Sequence, residues 1–252
     1  MGYTKIVQYG EFTEIYEYDK QLLKKNRKKK PSKLAIKRHK DIRYLSNYTP
    51  TQRSVNRAKT NFFRLCHHNN VNSDSISLFT LTFTRDYTYN IYGRKLALFI
   101  NKLNKHYECT PNSQITYIGV PELTKKGRYH YHLLIYNLPP TEVNNERNTR
   151  NFQRLYGQGY LDVRLATDTS PKIAGYMAKY MAKHFSSIGN AHKRAYNCSR
   201  KIKKISSHGS NTLFEYADIL YPDKRNRTEI NQYEVPYMGT CIKTVYKNDT
   251  KI

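Results

Sequence analysis

Between Ile76 and Arg85 the chain alternates without a break: Phe79, Leu81 and Phe83 against Thr80, Thr82 and Thr84. A period of two is that of an extended strand, so one face is apolar and the other bears hydroxyls. A second strand reads from Tyr129 to Asn137, rich in aromatic and branched residues. Its partner is Gln114 to Val120, joined through Lys125-Lys126-Gly127-Arg128 as a hairpin. Helices are expected from Thr49-Pro50 onward (stripe Val55, Ala58, Phe62, Leu65, Cys66), and over 94–107, 145–156 and 172–185. Gly157 and Gly159 end the third helix, and Tyr160 to Leu165 is a further strand. Asn69 to Ser77 reads as a polar loop, and Cys66-His67-His68 as the end of a helix rather than a zinc site. This order predicts an α+β domain, an antiparallel or mixed sheet flanked by helices. Strand-like patches at 213–216, 233–237 and 241–246 take no assignment.

The 252 residues carry a net charge of +25 and a pI near 9.8. Such a field attracts polyanions, nucleic acid first. An A+T-rich coding sequence would also enrich Lys, Asn, Tyr and Ile, so composition alone does not prove the point. The organisation read from charge is a basic N-terminal extension (1–48), a central domain (49–205) and a C-terminal extension of unassigned role (206–252). Lys28, Lys29 and Lys30 in the first, Arg53 and Arg57 on the first helix, and Lys193, Arg194, Arg200 and Lys201 are the expected DNA-binding cations. The four cysteines are scattered, which argues against a disulfide framework and for a reducing compartment. The N-terminus lacks the apolar core of a signal peptide, and no apolar run is long enough to span a membrane. No P-loop sequence is present, so no P-loop ATPase is encoded.

Two motifs carry chemistry. His130 and His132 are two apart on one strand, so their imidazoles share a face. They form half of a metal site or an exposed pair at a strand end, and the strand alone does not decide. Tyr176-Met177-Ala178-Lys179 is repeated at once as Tyr180-Met181-Ala182-Lys183. Four residues apart on a helix, the two phenols lie one turn from each other, with Lys179 and Lys183 on an adjacent ridge. A tyrosine stripe is usually core, but lysines beside it make an awkward core. A phenol with a pKa of ~10 is a weak nucleophile. A nearby ammonium favours its phenolate, and a metal that polarises a phosphate helps from the other side. Tyrosine, lysine and paired histidines together suit attack on a phosphodiester that leaves a covalent phosphotyrosine.

With these motifs in order, the chain resembles the HUH endonucleases, in particular rolling-circle replication initiators of small single-stranded DNA phages, viruses and plasmids. Phe79-Thr80-Leu81-Thr82-Phe83 resembles their first motif and His130-Tyr131-His132 their second. The doubled tyrosine segment resembles the third in its two-tyrosine, microvirus-type form. Tyr156 to Arg164 and Arg194 to Arg200 are similar to the same group, and the likeness covers about residues 50–205. It implies an HUH (Rep nuclease) fold and a divalent ion, Mg²⁺ or Mn²⁺. It also implies a third metal ligand from the strand beside the histidines. Glu122, eight positions before His130, is the nominee, with Glu108 and Asp162 as fallbacks. The implied partners are single-stranded origin DNA and a host helicase and polymerase. The implied location is the host cytoplasm, or the nucleus of a eukaryotic host. Tyr176 or Tyr180 would attack, with Lys179 and Lys183 steadying charge. The competing readings are a non-catalytic basic nucleic-acid-binding protein and a single-strand HUH transposase, which usually has one catalytic tyrosine. A mobilisation relaxase usually places its tyrosine before the histidines.

Overall fold

The protein is seen in a computed structural model that describes residues 2–20, 52–73, 75–85, 89–110, 113–123, 128–138, 140–143, 146–166, 170–187, 195–210, 226–235 and 238–248. Lys28, Lys29, Lys30, Lys193, Arg194, the Thr49-Pro50 cap, the 125–127 turn and the 213–216 patch lie outside them. In chain order the elements are β1 (Tyr3–Tyr9), β2 (Phe12–Tyr18), α1 (Gln52–Val71), β3 (Ser77–Phe83), α2 (Tyr89–His106), β4 (Tyr117–Leu123), β5 (Tyr129–Ile135), α3 (Pro140–Val143), α4 (Glu146–Tyr156), β6 (Gly159–Leu165), α5 (Ser170–Ser187), β7 (Asn197–Cys198), β8 (Ser206–Ser210), β9 (Arg227–Val235) and β10 (Gly239–Lys247). The fold is α+β, and the described residues form two antiparallel five-stranded sheets. They fall in two compact units, residues 47–203 and residues 1–46 with 204–252.

The central unit holds the sheet β6-β3-β5-β4-β7. The alternation in β3 sorts its side chains as expected: Phe79, Leu81 and Phe83 are fully buried. Their cross-strand partners Leu133, Tyr131, Val163 and Leu161 continue that face. Helices α2 and α4 cover it with Tyr92, Leu96, Phe99, Leu103, Phe152 and Tyr156. Edge-on ring contacts, Phe79 to Phe152 at 5.3 Å and Phe83 to Tyr92 at 4.7 Å, lock the layer. On the opposite face α1 and α5 pack together over β4 and β5. Phe62, Cys66, Ala174, Met177, Ala178 and Met181 meet Ile118, Val120 and Leu134 there.

Two local devices fix the edge strand β6. Gly157, at φ 57°, ends α4 in the left-handed region. A side chain at Gly159 would meet the Thr82 carbonyl oxygen at 2.0 Å, so only glycine lets β6 begin this close to β3. The Gln153 side chain then accepts from the Leu161 N–H at 2.8 Å and donates to the Gly159 carbonyl, occupying part of the free edge.

The structure corrects the expected loop at 69–77. Helix α1 runs to Val71, and Asn69 and Asn70 are buried. Asn69 donates to the carbonyls of Leu65 (2.8 Å) and Lys203 (3.0 Å) and accepts from the Lys203 N–H (3.0 Å). A polar residue thus continues the helix because a partner 134 residues away satisfies it. The helices at 94–107 and 172–185 also extend further, to Tyr89–His106 and Ser170–Ser187.

The second unit is a sheet in the order β8-β1-β2-β10-β9, so residues near both chain ends pair with each other. β1 and β2 are joined at Tyr9 and Phe12 by a tight turn whose Gly10 adopts φ 55°. β2 then pairs with β10 from Phe12↔Lys247 to Tyr18↔Cys241. Glu14 is buried here and satisfied by Tyr9 (2.9 Å), Tyr16 (2.6 Å) and the Lys243 ammonium (3.3 Å). The patch at 241–246, unassigned from sequence, is therefore a central strand of this sheet.

Candidate active site

The hydroxyl face of β3 is the face on which the candidate residues gather. Thr80 is paired with His132 and Thr82 with His130, while His130 is paired with Glu122 on β4. Directly paired residues share a face, so Thr80, Thr82, His130, His132 and Glu122 stand together. The hairpin thus sets Glu122 directly opposite His130.

Their contacts go further than register. His132 is buried, and its Nε2 donates to Glu122 Oε2 at 2.9 Å. Lys183, reaching from α5, donates to Glu122 Oε1 at 2.5 Å. Burial pushes the Glu122 carboxyl up. The hydrogen bonds from Lys183 and His132, with their charges, outweigh it and hold the group below its usual range. The Lys183 ammonium is raised in return, first by its hydrogen bond to Glu122. His130 is held below its ordinary value by burial and then by His132, with Glu122 pulling the other way.

Both tyrosines lie over this pair. The Tyr180 ring is 4.2 Å from that of His132, tilted by 31°. The Tyr176 ring meets His132 edge-on at 6.2 Å and Tyr180 at 4.8 Å. Tyr176 is 41% exposed, whereas Tyr180 is half-buried against the α1–α5 core. Burial raises the Tyr176 phenol to about 12. Its hydrogen bond to Tyr180 and the charges of Tyr180 and Glu122 add to that, while Arg164 pulls it down. Lys179 is exposed on the same helix. Met177, Ala178 and Met181 are the residues that face the core. The Tyr–Met–Ala–Lys repeat therefore divides its positions between packing and the site.

The start of α5 is held by α1. Ser170 Oγ lies 2.9 Å from His67 Nδ1, and Asn70 Nδ2 donates to the Ser170 carbonyl at 3.2 Å. His67 is fully buried, and its ring stacks on Phe63 one turn earlier at 5.9 Å. His67 and Asn70 are thus positioning residues that sequence reasoning passed over. A fully polar stretch ending an apolar helix was the available signal.

Two imidazoles and a carboxylate on one face are a donor set that suits a divalent ion. His132 Nδ1 is buried and has no hydrogen-bond partner among the described residues. Both Glu122 oxygens, however, already accept hydrogen bonds, and among the described residues no three His, Cys, Asp or Glu side chains converge on one point. Of the fallback ligands, Asp162 shares the face but lies two strands away, paired with Thr80, and it accepts from Arg164 Nε at 2.8 Å. Glu108 sits in the turn after α2, between Tyr107 and Cys109, which pack on the opposite side of the sheet. Arg53 and Arg57 are exposed on α1. Arg200 and Lys201 are exposed just after β7, which pairs with β4.

Among the described residues no helix is long and apolar enough to cross a membrane. No curated protein and no solved structure matches the chain. Residues 76–185, from the start of β3 through Glu122, both histidines and both tyrosines, match the family model described as replication-associated protein ORF2/G2P. The segment that builds the site is therefore similar to replication-associated proteins, which supports a Rep-type replication initiator that acts on DNA.

Proposed function

We propose that the protein initiates rolling-circle replication by nicking single-stranded origin DNA through tyrosine attack. The observation that carries this reading is the packing of both tyrosines on His132, Tyr180 tilted over its ring and Tyr176 edge-on, with His132 itself bonded to the carboxylate that Lys183 also holds. A core tyrosine stripe would need neither the buried histidine nor the ion pair beneath it.

In this reading the oxygen of one phenol forms a bond to the scissile phosphorus and the bond from phosphorus to O3′ breaks. The phenolic proton is released and the 3′ oxygen leaves as a hydroxyl that primes synthesis. The 5′ phosphate stays on the tyrosine, and a later attack by a 3′ hydroxyl reverses the step and rejoins the strand. Mg²⁺ or Mn²⁺ held by His130, His132 and Glu122 would polarise the phosphate. Lys183 orients the Glu122 carboxylate, and Arg164 adds positive charge beside Tyr176. Arg53, Arg57, Arg200 and Lys201 would draw in the phosphate backbone. A host helicase and polymerase would complete the initiation complex.

The test is incubation with single-stranded oligonucleotides and Mn²⁺, followed by denaturing electrophoresis for a protein–DNA adduct. The adduct is expected with the native protein and absent from the Tyr176→Phe, Tyr180→Phe double variant and from His132→Ala. Adduct formed by the double variant would remove the nucleophile assignment. DNA binding that never yields adduct would favour a non-catalytic nucleic-acid-binding protein.

A further inference from the structure

Between the edge strand β6 and the first turns of α5 lies an open cavity of about 370 Å³, within the ~300–1,000 Å³ of small-molecule sites. Its floor is apolar, formed by Leu78, Ala166 and Ile173, and its rim carries Arg164, Lys172 and Tyr176. Leu78 and Arg164 are direct cross-strand partners, so the guanidinium stands on the same face as the hydroxyls and histidines. Lys172 lies four residues before Tyr176, one turn up the same helix ridge. Among the described residues no carboxylate lines the cavity, and Arg164 reaches its rim with Nε already bonded to Asp162 at 2.8 Å. Two cations above an apolar floor select a ligand that joins a flat hydrophobic body to an anion. A nucleotide has that form. The rim also reaches the candidate chemistry, because the Arg164 charge acts on the Tyr176 phenol. Tyr180 is not among the lining residues.

We propose that this cavity is a nucleotide subsite, seating one base of single-stranded DNA against Leu78, Ala166 and Ile173 while Arg164 and Lys172 hold an adjoining phosphate. Its place in the reaction rests on the nicking function proposed above: the base lies next to the scissile phosphodiester, on the side of Tyr176. The two tyrosines are then unequal. Tyr176 meets a strand seated in the cavity, and Tyr180 lies outside it.

The experiment measures binding alone, with the full chain in EDTA, by fluorescence anisotropy. The probes are a labelled dT oligonucleotide of about eight nucleotides, within the ~4–16 nucleotide footprints of single-strand sites, and an abasic deoxyribose-phosphate oligomer of the same length. Ala166→Trp fills the cavity and is expected to weaken dT binding about tenfold, the scale of losing one seated base, while leaving the abasic probe unchanged. The Arg164→Ala, Lys172→Ala double variant is expected to weaken both probes. Equal loss on both probes, or no loss on either, for the filled cavity overturns the subsite, as does unchanged binding in the charge variant. Ala166→Phe carries the same comparison should the tryptophan variant melt below the native protein. A chain that separates the probes but never forms adduct keeps the subsite and loses the nicking function. A chain that forms adduct without separating them does the reverse.

Discussion

The two faces of the central sheet come from the same strands, yet they are built on different rules. On one, Phe79, Leu81, Phe83, Tyr131 and Leu133 are buried under α2 and α4, and ring contacts fill the space between. On the other, Thr80, Thr82, His130, His132 and Glu122 share the surface with Ile118, Val120 and Leu134 under α1 and α5. The first face spends its burial on stability. The second surrenders part of its apolar packing to hold polar groups in contact, which costs desolvation and is tolerated because the groups satisfy one another. The difference teaches where function can be placed: on the alternate residues of strands whose other face already secures the fold.

The comparison can be broken most sharply at Phe79. Phe79→Ala should cost ~3–5 kcal/mol because it removes a fully buried ring that meets Phe99 and Phe152; urea unfolding measures it. His132→Ala on the other face should cost less, ~1.5–3 kcal/mol, the scale of a hydrogen bond to a charged group. On the metal-assisted reading proposed above it should nevertheless lower adduct formation by more than ~100-fold, since even outer-shell partners of a metal are worth ~10–100-fold. If the two substitutions instead have equal effects on stability, the faces are not specialised. Asn69→Ala should cost ~1–3 kcal/mol by leaving the Lys203 N–H and carbonyl unmet, without touching the histidine pair. An adduct yield that survives it separates anchoring from chemistry.

The smallest effect concerns His68, whose pKa is lowered by burial, then by Lys203 and His67. Its folded-state value lies below its unfolded one, so the unfolded chain binds the proton first as pH falls. Stability is then lost as pH drops from above the unfolded value, ~6.5, toward the folded one. His68→Gln should flatten that slope in unfolding midpoints taken from pH 7 to 5. An unchanged slope would place the titration elsewhere.

Much of this architecture is legible in single stretches of sequence. The alternation of β3, the paired histidines of β5 and the four-residue spacing of Tyr176 and Tyr180 are local periodicities. Each determines which side chains share a face before any packing occurs. The hairpin that faces Glu122 toward His130 is also local, because a short connection leaves antiparallel strands little freedom in register. The α+β class follows from the order of those elements. The likeness of this chain to replication-associated proteins rests on the same segment, 76–185.

Other features depend on partners far away in the chain. Nothing near residue 14 announces that β2 will pair with β10 more than two hundred residues later. Nothing near Asn69 names Lys203, and nothing near His67 names Ser170. Such pairs leave no periodic trace, since each residue's neighbours in sequence are unaffected by them. They make residues 69–71 the end of a helix and join β1, β2, β8, β9 and β10 in one sheet. The same holds within the site. Sequence determined that two phenols, two imidazoles and a carboxylate could face one another. Only the tertiary structure decided that Lys183 would hold Glu122, that Tyr180 would lie on His132, and that Tyr176 alone would border the cavity beside β6. The reason is that α5 approaches the sheet at a depth and rotation set by Met177, Ala178 and Met181 in the core and by the anchor at Ser170. These are properties of packing across elements, and no single stretch contains them.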